Sequence, residues 1–129
     1  MVTVKEMMTK NPVKVEADKT VREAINIMAE KNLGSLLVYK GNKLVGLLEE
    51  GDIIRNVLNK DLNTYVVTVE TAMSVPFVID EKKTDNEANE LMFQNRVRHL
   101  AVTNGEQITG IVSMQDLIRP VYTGKSIWV

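Results

Sequence analysis

The sequence contains no cysteine and only one histidine, His99, among its 129 residues. Without thiols the chain can form neither disulfides nor thiolate metal sites, and one imidazole argues against a zinc site built from protein ligands alone. No apolar run approaches the ~20 residues that a membrane-spanning helix needs. The N-terminus lacks the long apolar core of a signal peptide. We therefore expect a cytoplasmic protein with no bound metal and no membrane segment.

The charge balance is almost neutral, with a net charge of −1 and no block of like charges. This balance argues against binding to nucleic acid, which would require a basic surface. The sequence contains no P-loop, no nucleophile elbow and no Ser-His-Asp arrangement with a supporting context, so we predict that it is not an enzyme. A hydrophobic content of 44% and a charged content of 26% are typical of a folded globular chain.

The sequence repeats itself. Shifted so that Pro12 falls on Pro76, it overlays itself without a gap as far as Arg55, and glycines, prolines and apolar positions stay in register. Gly46 then falls on Gly110, and Asp52 falls on Asp116. We therefore predict two copies of one supersecondary unit. The first copy would take residues 1–62 with the N-terminal segment, and the second would take residues 63–129 with the C-terminal tail.

Each copy predicts the order β-α-β-β-α. A capping box opens the central helix of each copy: Thr20-x-x-Glu23 and Thr84-x-x-Glu87. Two strand-like runs joined by a turn with glycine follow as a hairpin, and a closing helix ends the copy. We expect Pro120 to end the second closing helix early, and residues 66–69 could form a strand or a helical turn. This order of elements predicts an α+β fold. Because a copy of about 50 residues buries little apolar surface on its own, we expect the two repeats to pack together with pseudo-two-fold symmetry.

The ordered motifs of both copies resemble the CBS domain, the module named after cystathionine beta-synthase. The first copy contributes Met7–Val13, Thr20–Ala24, Gly34–Val38 and the stretch from Gly46 to Ile53. The second contributes Ala72–Ser74, Pro76, Thr84, Glu87–Ala88, Arg98–Val102 and the stretch from Gly110 to Asp116. The likeness runs from about Val4 to Arg119 and implies a stand-alone pair of CBS domains, a Bateman module.

This resemblance implies a regulatory protein that requires no cofactor. CBS pairs commonly bind AMP, ADP, ATP or S-adenosylmethionine in clefts between the two copies and signal to a regulated protein, which is unknown here. In the family, the aspartate of the Gly-x-x-Ser/Thr-x-x-Asp motif binds the ribose hydroxyls. The strand near the proline step lines the adenine, and basic residues reach the phosphates. The resemblance also implies a homodimer.

The stretch Ser113-x-x-Asp116 has two interpretations. It can be a capping box with aspartate at its third helical position, or Asp116 can bind a ribose diol while Ser113 donates to a phosphate. In the first copy Glu49 precedes Asp52 by three residues, and glutamate is not a favoured N-cap. We therefore expect that capping does not explain Asp52, and that the added charge of Glu49 weakens or empties its cleft.

The remaining candidate ligand-binding residues fall into two groups. The basic set occurs only in the second copy and could bind phosphate or be solvated: Arg96, Arg98 and His99. The adenine-lining candidates are Asn11, Pro12 and Val13 for the Asp116 cleft, and Val75, Pro76 and Phe77 for the Asp52 cleft. Sequence alone does not say which cleft the basic set would serve.

Another function remains open from the sequence. The pair could be a structural or oligomerisation module whose clefts are vestigial. The C-terminal tail carries the only tryptophan, and Trp128 beside Ile127 could contact another subunit or fold back on its own domain.

Overall fold

The computed structural model describes residues 2–123, and from residue 119 onward it describes the backbone only. Helices and strands are mixed along the chain, which confirms the predicted α+β class. The chain divides into two compact units. The Asp52 unit runs from Val13 to Pro76, and the Asp116 unit combines the N-terminal stretch that ends at Pro12 with the chain from Phe77 onward.

The Asp52 unit contains a three-stranded sheet. Its elements in chain order are β2 (Lys14–Glu16), α2 (Val21–Lys31), β3 (Ser35–Lys40), β4 (Lys43–Glu49), α3 (Glu50–Asn56), a 3-10 turn (Leu58–Lys60) and α4 (Val69–Ala72). The strand order is β2-β3-β4, with β2 parallel and β4 antiparallel to β3. The predicted order β-α-β-β-α is therefore present.

The Asp116 unit repeats this order and adds an edge strand. Its elements are α1 (Val4–Met7), β1 (Thr9–Lys10), β5 (Val78–Asp80), α5 (Asp85–Asn95), β6 (His99–Asn104), β7 (Gln107–Ser113) and α6 (Met114–Thr123). The strand order is β1-β7-β6-β5. Strand β1 pairs antiparallel with β7, where Thr9 faces Ile111 and Lys10 faces Gly110.

The central helices α2 and α5 begin where the sequence predicts. The hydroxyl of Thr20 accepts a hydrogen bond from the Glu23 backbone N–H, and the Glu23 carboxylate accepts one from the Thr20 backbone N–H. The latter bond lowers the pKa of the Glu23 carboxyl. The same reciprocal pair joins Thr84 and Glu87. Both predicted capping boxes are therefore confirmed.

Each unit has an apolar core of its own. In the Asp52 unit, Ala24 and Met28 of α2 pack with the interior of the sheet, and Leu36 and Leu48 are fully buried there. In the Asp116 unit, Ala88 and Met92 of α5 take the same places, with Leu100 and Val112. The i, i+4 spacing of the helical residues explains why one helix face is buried.

The segments that precede the two repeats are exchanged between the units. Residues 3–10, the N-terminal segment, belong to the Asp116 unit, and residues 68–75, the middle segment, belong to the Asp52 unit. The Val4 N–H donates to the Lys83 carbonyl, and the Val69 N–H donates to the Lys19 carbonyl. The predicted division into 1–62 and 63–129 describes the order of the repeats along the chain, but in space each repeat carries the segment that precedes the other.

The two segments are built alike, but the stretch between the short helix and the following proline is one residue longer after the N-terminal segment's helix than after the middle segment's helix. Each consists of a short helix, Val4–Met7 or Val69–Ala72, followed by an extended stretch that meets the last strand of its unit. Counted from the helices, Thr9 corresponds to Ser74, whereas counted from the prolines Lys10 corresponds to Ser74. Asn11, which has the left-handed φ of 53°, absorbs the extra residue.

The two paired glycines make room for these segments. A Cβ atom on Gly46 would collide with the Met73 side chain, and one on Gly110 would lie 2.7 Å from the Thr9 carbonyl oxygen. The repeat of glycine at these positions therefore follows from the close approach of the segment to the last strand of each sheet.

Two sequence expectations are corrected or completed by the structure. The prediction that Pro120 ends the closing helix early is wrong, because α6 continues to Thr123. A proline removes only its own N–H donor and can kink a helix without ending it. Of residues 66–69, which the sequence left open between strand and helix, only Val69 is helical, as the first residue of Val69–Ala72, and Thr68 forms an isolated bridge with Thr20.

Candidate functional site

Asp116 lies in the first turn of α6, directly after β7. Its Oδ2 accepts a hydrogen bond of 2.8 Å from the Ser113 backbone N–H, and its own N–H donates to the Ser113 Oγ at 3.2 Å. Asp116 is partly exposed. Among the side chains that the structure describes, none donates a hydrogen bond to its second oxygen, Oδ1. The capping interpretation is therefore correct for one oxygen, while the other can accept from a bound molecule.

Two of the three predicted basic residues lie at the same end of the sheet as Asp116. His99 opens β6 and pairs in register with Ser113, the last residue of β7. The carbonyl of Arg98 accepts a hydrogen bond of 2.8 Å from the N–H of Met114, the first residue of α6. The pairing of β6 with β7 thus places Arg98 and His99 beside the Ser113-x-x-Asp116 stretch, which the sequence could not establish.

Arg96 ends the central helix of the Asp116 unit. It has the left-handed φ of 55°, and its N–H donates to the carbonyls of the last helical turn. Its counterpart in the Asp52 unit is Asn32, with a φ of 54°. Asparagine tolerates this conformation better than arginine does. The Asp116 unit therefore keeps an exposed arginine at a position where its backbone is less favourable.

Asp52 has the same place in its own unit but a different environment. It is only 1% exposed. Its Oδ2 accepts from the Glu49 backbone N–H at 2.8 Å, and its Oδ1 accepts from the Ser74 Oγ at 2.5 Å. Arg55 lies 3.7 Å from Oδ1. Both carboxylate oxygens are therefore engaged within the Asp52 unit.

The expectation that capping cannot explain Asp52 is wrong. An aspartate at the third helical position accepts from the backbone N–H of the N-cap residue, and that half of a capping box does not depend on the N-cap side chain. The bond from the Glu49 N–H to Asp52 is of this kind. Glu49 can therefore precede Asp52 without leaving its carboxylate to a ligand.

The residues predicted to line the adenine are distributed over both units. Asn11 and Pro12 belong to the Asp116 unit, but β1 runs antiparallel to β7, so the chain at Asn11 leads away from Ser113. Val13 belongs to the Asp52 unit, where its carbonyl accepts from the Leu37 N–H. None of these three has a described hydrogen bond to Asp116. Their role in adenine binding stays a prediction.

The corresponding residues near the second proline are also part of the framework. Val75 is 70% exposed, and Pro76 ends the Asp52 unit. Phe77 packs against the core of the Asp116 unit, and its carbonyl accepts from the Ala101 N–H at 3.0 Å. Their contact with a ligand likewise stays a prediction.

The sequence interpretation missed Ser74 and Glu81. Ser74 holds Asp52, and Glu81 is a buried carboxylate that accepts from the Thr109 Oγ1 at 3.0 Å and lies 3.7 Å from the Lys5 Nζ. Glu81 is the counterpart of Ala17 in the repeat. In the overlay of the two copies a glutamate stands opposite an alanine, and this difference could have marked Glu81 as a residue of interest. The partners of Glu81, Lys5 and Thr109, are distant in sequence and could not be identified in this way.

Two other kinds of site are absent from the described residues. Within residues 2–118, no group of three or more histidine, cysteine, aspartate or glutamate side chains could hold a metal ion. In the part of the chain that the structure describes, no helix has both the length and the apolar character to cross a membrane. Ile127 and Trp128 lie outside the described residues.

Comparison with known proteins identifies the same repeat. The sequence profile of the CBS domain matches residues 4–59 and again residues 62–122. The chain is 35% identical over 119 residues to a 17.7 kDa protein encoded in the bps2 3′ region of Acidianus ambivalens, covering 90% of this chain and 71% of that one. It is 31% identical over 120 residues to the CBS domain-containing protein YhcV of Bacillus subtilis, covering 91% and 84%.

A solved structure shows the same fold. The hexameric CBS-CP12 protein from bloom-forming cyanobacteria superimposes with a TM-score of 0.84 at 26% identity, covering 99% of this chain and 78% of that one. The two matches of the profile follow the two repeats that the sequence predicted.

Proposed function

Because the chain belongs to the CBS-domain family and carries the domain twice, we propose that it is a regulatory module that binds an adenosine-containing ligand through Asp116. CBS pairs are generally regulatory and ligand-binding, and the domain itself is a non-catalytic module. The ligand would be AMP, ADP, ATP or S-adenosylmethionine. Binding would shift the conformation that a regulated protein recognises.

The single observation that carries this proposal is the state of the Asp116 carboxylate. One oxygen is held by the Ser113 N–H, which fixes the orientation of the side chain, and no described side chain donates to the other. A carboxylate only accepts hydrogen bonds, and a ribose offers two neighbouring O–H donors. An oriented, partly exposed carboxylate with a spare oxygen is suited to such a diol.

The surroundings of Asp116 suit a phosphate or another anionic group on the same ligand. The Ser113 Oγ accepts from the Asp116 N–H, so its own hydrogen can be donated outward. Helix α6 spans ten residues, and its N-terminal N–H groups favour an anion. Arg98 and His99 lie at the same end of the sheet. The arginine that occupies the unfavourable position 96 is a further candidate phosphate ligand.

Thermal unfolding with and without AMP, ATP or S-adenosylmethionine tests the proposal. A ligand present at 100 times its dissociation constant stabilises the folded chain by about 2.7 kcal/mol. For a chain of this size the melting temperature should rise by several degrees, on the order of 5–10 °C. In Asp116→Ala this rise should disappear for the ligand that produces it in the wild type, because the acceptor for the ribose is removed.

Asp18→Ala is the matched control, because it removes the same charge from an exposed turn residue in the other unit. The control should keep the full rise in melting temperature. A rise that survives in Asp116→Ala, or that is lost equally in Asp18→Ala, would refute a specific role for Asp116.

One observation favours a second candidate, a structural or oligomerisation module. The Asp116 unit exposes large apolar side chains on both of its long helices: Phe93 on α5 is 80% exposed and Ile118 on α6 is 49% exposed. Such residues are often covered by another subunit. No change in melting temperature with any of the three ligands would favour this candidate over the nucleotide sensor. The predicted homodimer is compatible with both functions and does not discriminate between them.

A further inference from the structure

Ser74 contributes a difference between the surroundings of the two equivalent aspartates, in addition to Glu49 opposite Ser113. In the Asp52 unit its hydroxyl donates to the Asp52 Oδ1, the oxygen that the first turn of α3 leaves unused. The backbone of Ser74 is fixed in turn, because it exchanges hydrogen bonds of 2.9 and 3.0 Å with Leu47 of β4. The middle segment therefore presents a fixed donor to the carboxylate.

The Asp116 unit offers the same backbone position without this bond. Thr9, the counterpart of Ser74 by position after the short helix, also pairs with the last strand of its sheet, opposite Ile111. Thr9 is exposed, and its hydroxyl has no described hydrogen bond to Asp116. The hydroxyl is thus available in both segments but is used in only one of them.

We propose that Ser74 withdraws Asp52 from ligand binding, so that the chain binds one adenosine-containing ligand, at Asp116, and not two. This inference rests on the proposed function and specifies its stoichiometry. A carboxylate that is 1% exposed and accepts on both oxygens presents no free acceptor to a ribose. A ligand would first have to displace the Ser74 hydroxyl, which is tied to the backbone of the sheet.

The test is the number of ligand molecules bound per chain, measured by isothermal titration calorimetry with whichever of AMP, ATP or S-adenosylmethionine stabilises the wild type. The wild type should bind one molecule, and Asp116→Ala should bind none. Ser74→Ala removes the hydroxyl that occupies Oδ1 of Asp52 and leaves Glu49 in place, so a second and weaker binding event should emerge. The double variant with both substitutions should bind one molecule again.

Thr9→Ala is the matched control, because it removes the corresponding hydroxyl from the other segment. It should leave the wild-type stoichiometry and affinity within about twofold. Two molecules bound by the wild type would overturn the role of Ser74 and leave the sensor function standing. The same conclusion would follow if Ser74→Ala binds no more molecules than the wild type and the double variant binds no more than Asp116→Ala. No binding by any of the proteins would overturn both.

A measurement on the wild type makes the test independent of how well the variants fold. The side-chain carboxyl carbons of Asp52 and Asp116 can be followed by NMR in a titration with the same ligand. The Asp116 signal should move in step with saturation and the Asp52 signal should stay in place. Equal movement of both signals would contradict the inference.

Discussion

The two units share an architecture and differ in the partners of their carboxylates. In the Asp52 unit the aspartate at the start of the closing helix is buried and bonded on both oxygens, and the position of Ala17 is apolar. In the Asp116 unit no side chain among the described residues donates to the second oxygen of the aspartate, and the buried carboxylate is Glu81 in place of that alanine. The comparison shows that a duplicated fold can retain its backbone while the buried carboxylate occupies a different position in each copy, Asp52 in one and Glu81 in the other.

The largest expected change in stability comes from placing the buried glutamate of the Asp116 unit at the equivalent position of the Asp52 unit. Ala17 is 2% exposed, and the partners that Glu81 uses, Thr109 and Lys5, correspond here to Val45 and Glu70. Ala17→Glu should therefore lower the free energy of unfolding by about 2–4 kcal/mol, because it buries a carboxylate without a hydrogen-bond partner. Urea unfolding followed by circular dichroism measures this change.

The same substitution with its partners restored is the control. Val45→Thr and Glu70→Lys, combined with Ala17→Glu, rebuild the set found around Glu81 and should recover at least half of the lost stability. If the triple variant is no more stable than Ala17→Glu alone, the difference between the units does not depend on these partners.

The next effect compares the two aspartates themselves. Asp52→Ala leaves the Ser74 hydroxyl and the Glu49 N–H without their buried acceptor and should cost about 2–3 kcal/mol of unfolding free energy. Asp116→Ala removes one partly exposed cap and should cost about 0.5–1 kcal/mol. Urea unfolding of the two variants under identical conditions measures the difference. Equal losses would mean that the two carboxylates have the same structural role.

Much of the fold follows from the sequence because its signals are local. Capping boxes, the i, i+4 spacing of buried helical residues and glycine turns depend on residues a few positions apart, so the pattern of Thr20 and Glu23 predicts the start of α2. The internal repeat of the sequence also predicted the order of the helices and strands in each copy. The sequence also indicated that the two sites differ, through Glu49 opposite Ser113.

The exchange of the two segments and the role of Ser74 could not be predicted in the same way. The overlay that aligns the prolines pairs Ser74 with Lys10, and the extra residue at Asn11 hides its real counterpart, Thr9. The bond from Ser74 to Asp52 joins residues 22 positions apart. Only the pairing of each segment with the last strand of a sheet brings such residues together.

The smallest expected change in stability comes from the ion pairs that connect the two exchanged segments to their units. Glu70 of the middle segment pairs with Lys40 at 2.9 Å, with side chains that are 46% and 58% exposed, whereas Lys5 of the N-terminal segment reaches the buried Glu81. Glu70→Ala should therefore cost only about 0.2–1 kcal/mol, because solvent screens an exposed ion pair. In 1 M salt the Debye length falls to about 3 Å, and most of this loss should vanish.

Lys5→Ala provides the comparison, because its partner Glu81 is 5% exposed and lies where salt screens less. Its cost should equal or exceed that of Glu70→Ala and should change less between 0.1 M and 1 M salt, as measured by urea unfolding at both salt concentrations. The same salt dependence in both variants would mean that the pair of Lys5 and Glu81 is screened like a surface ion pair. The buried carboxylate would then have to be explained by Thr109, since that hydroxyl is its remaining described partner.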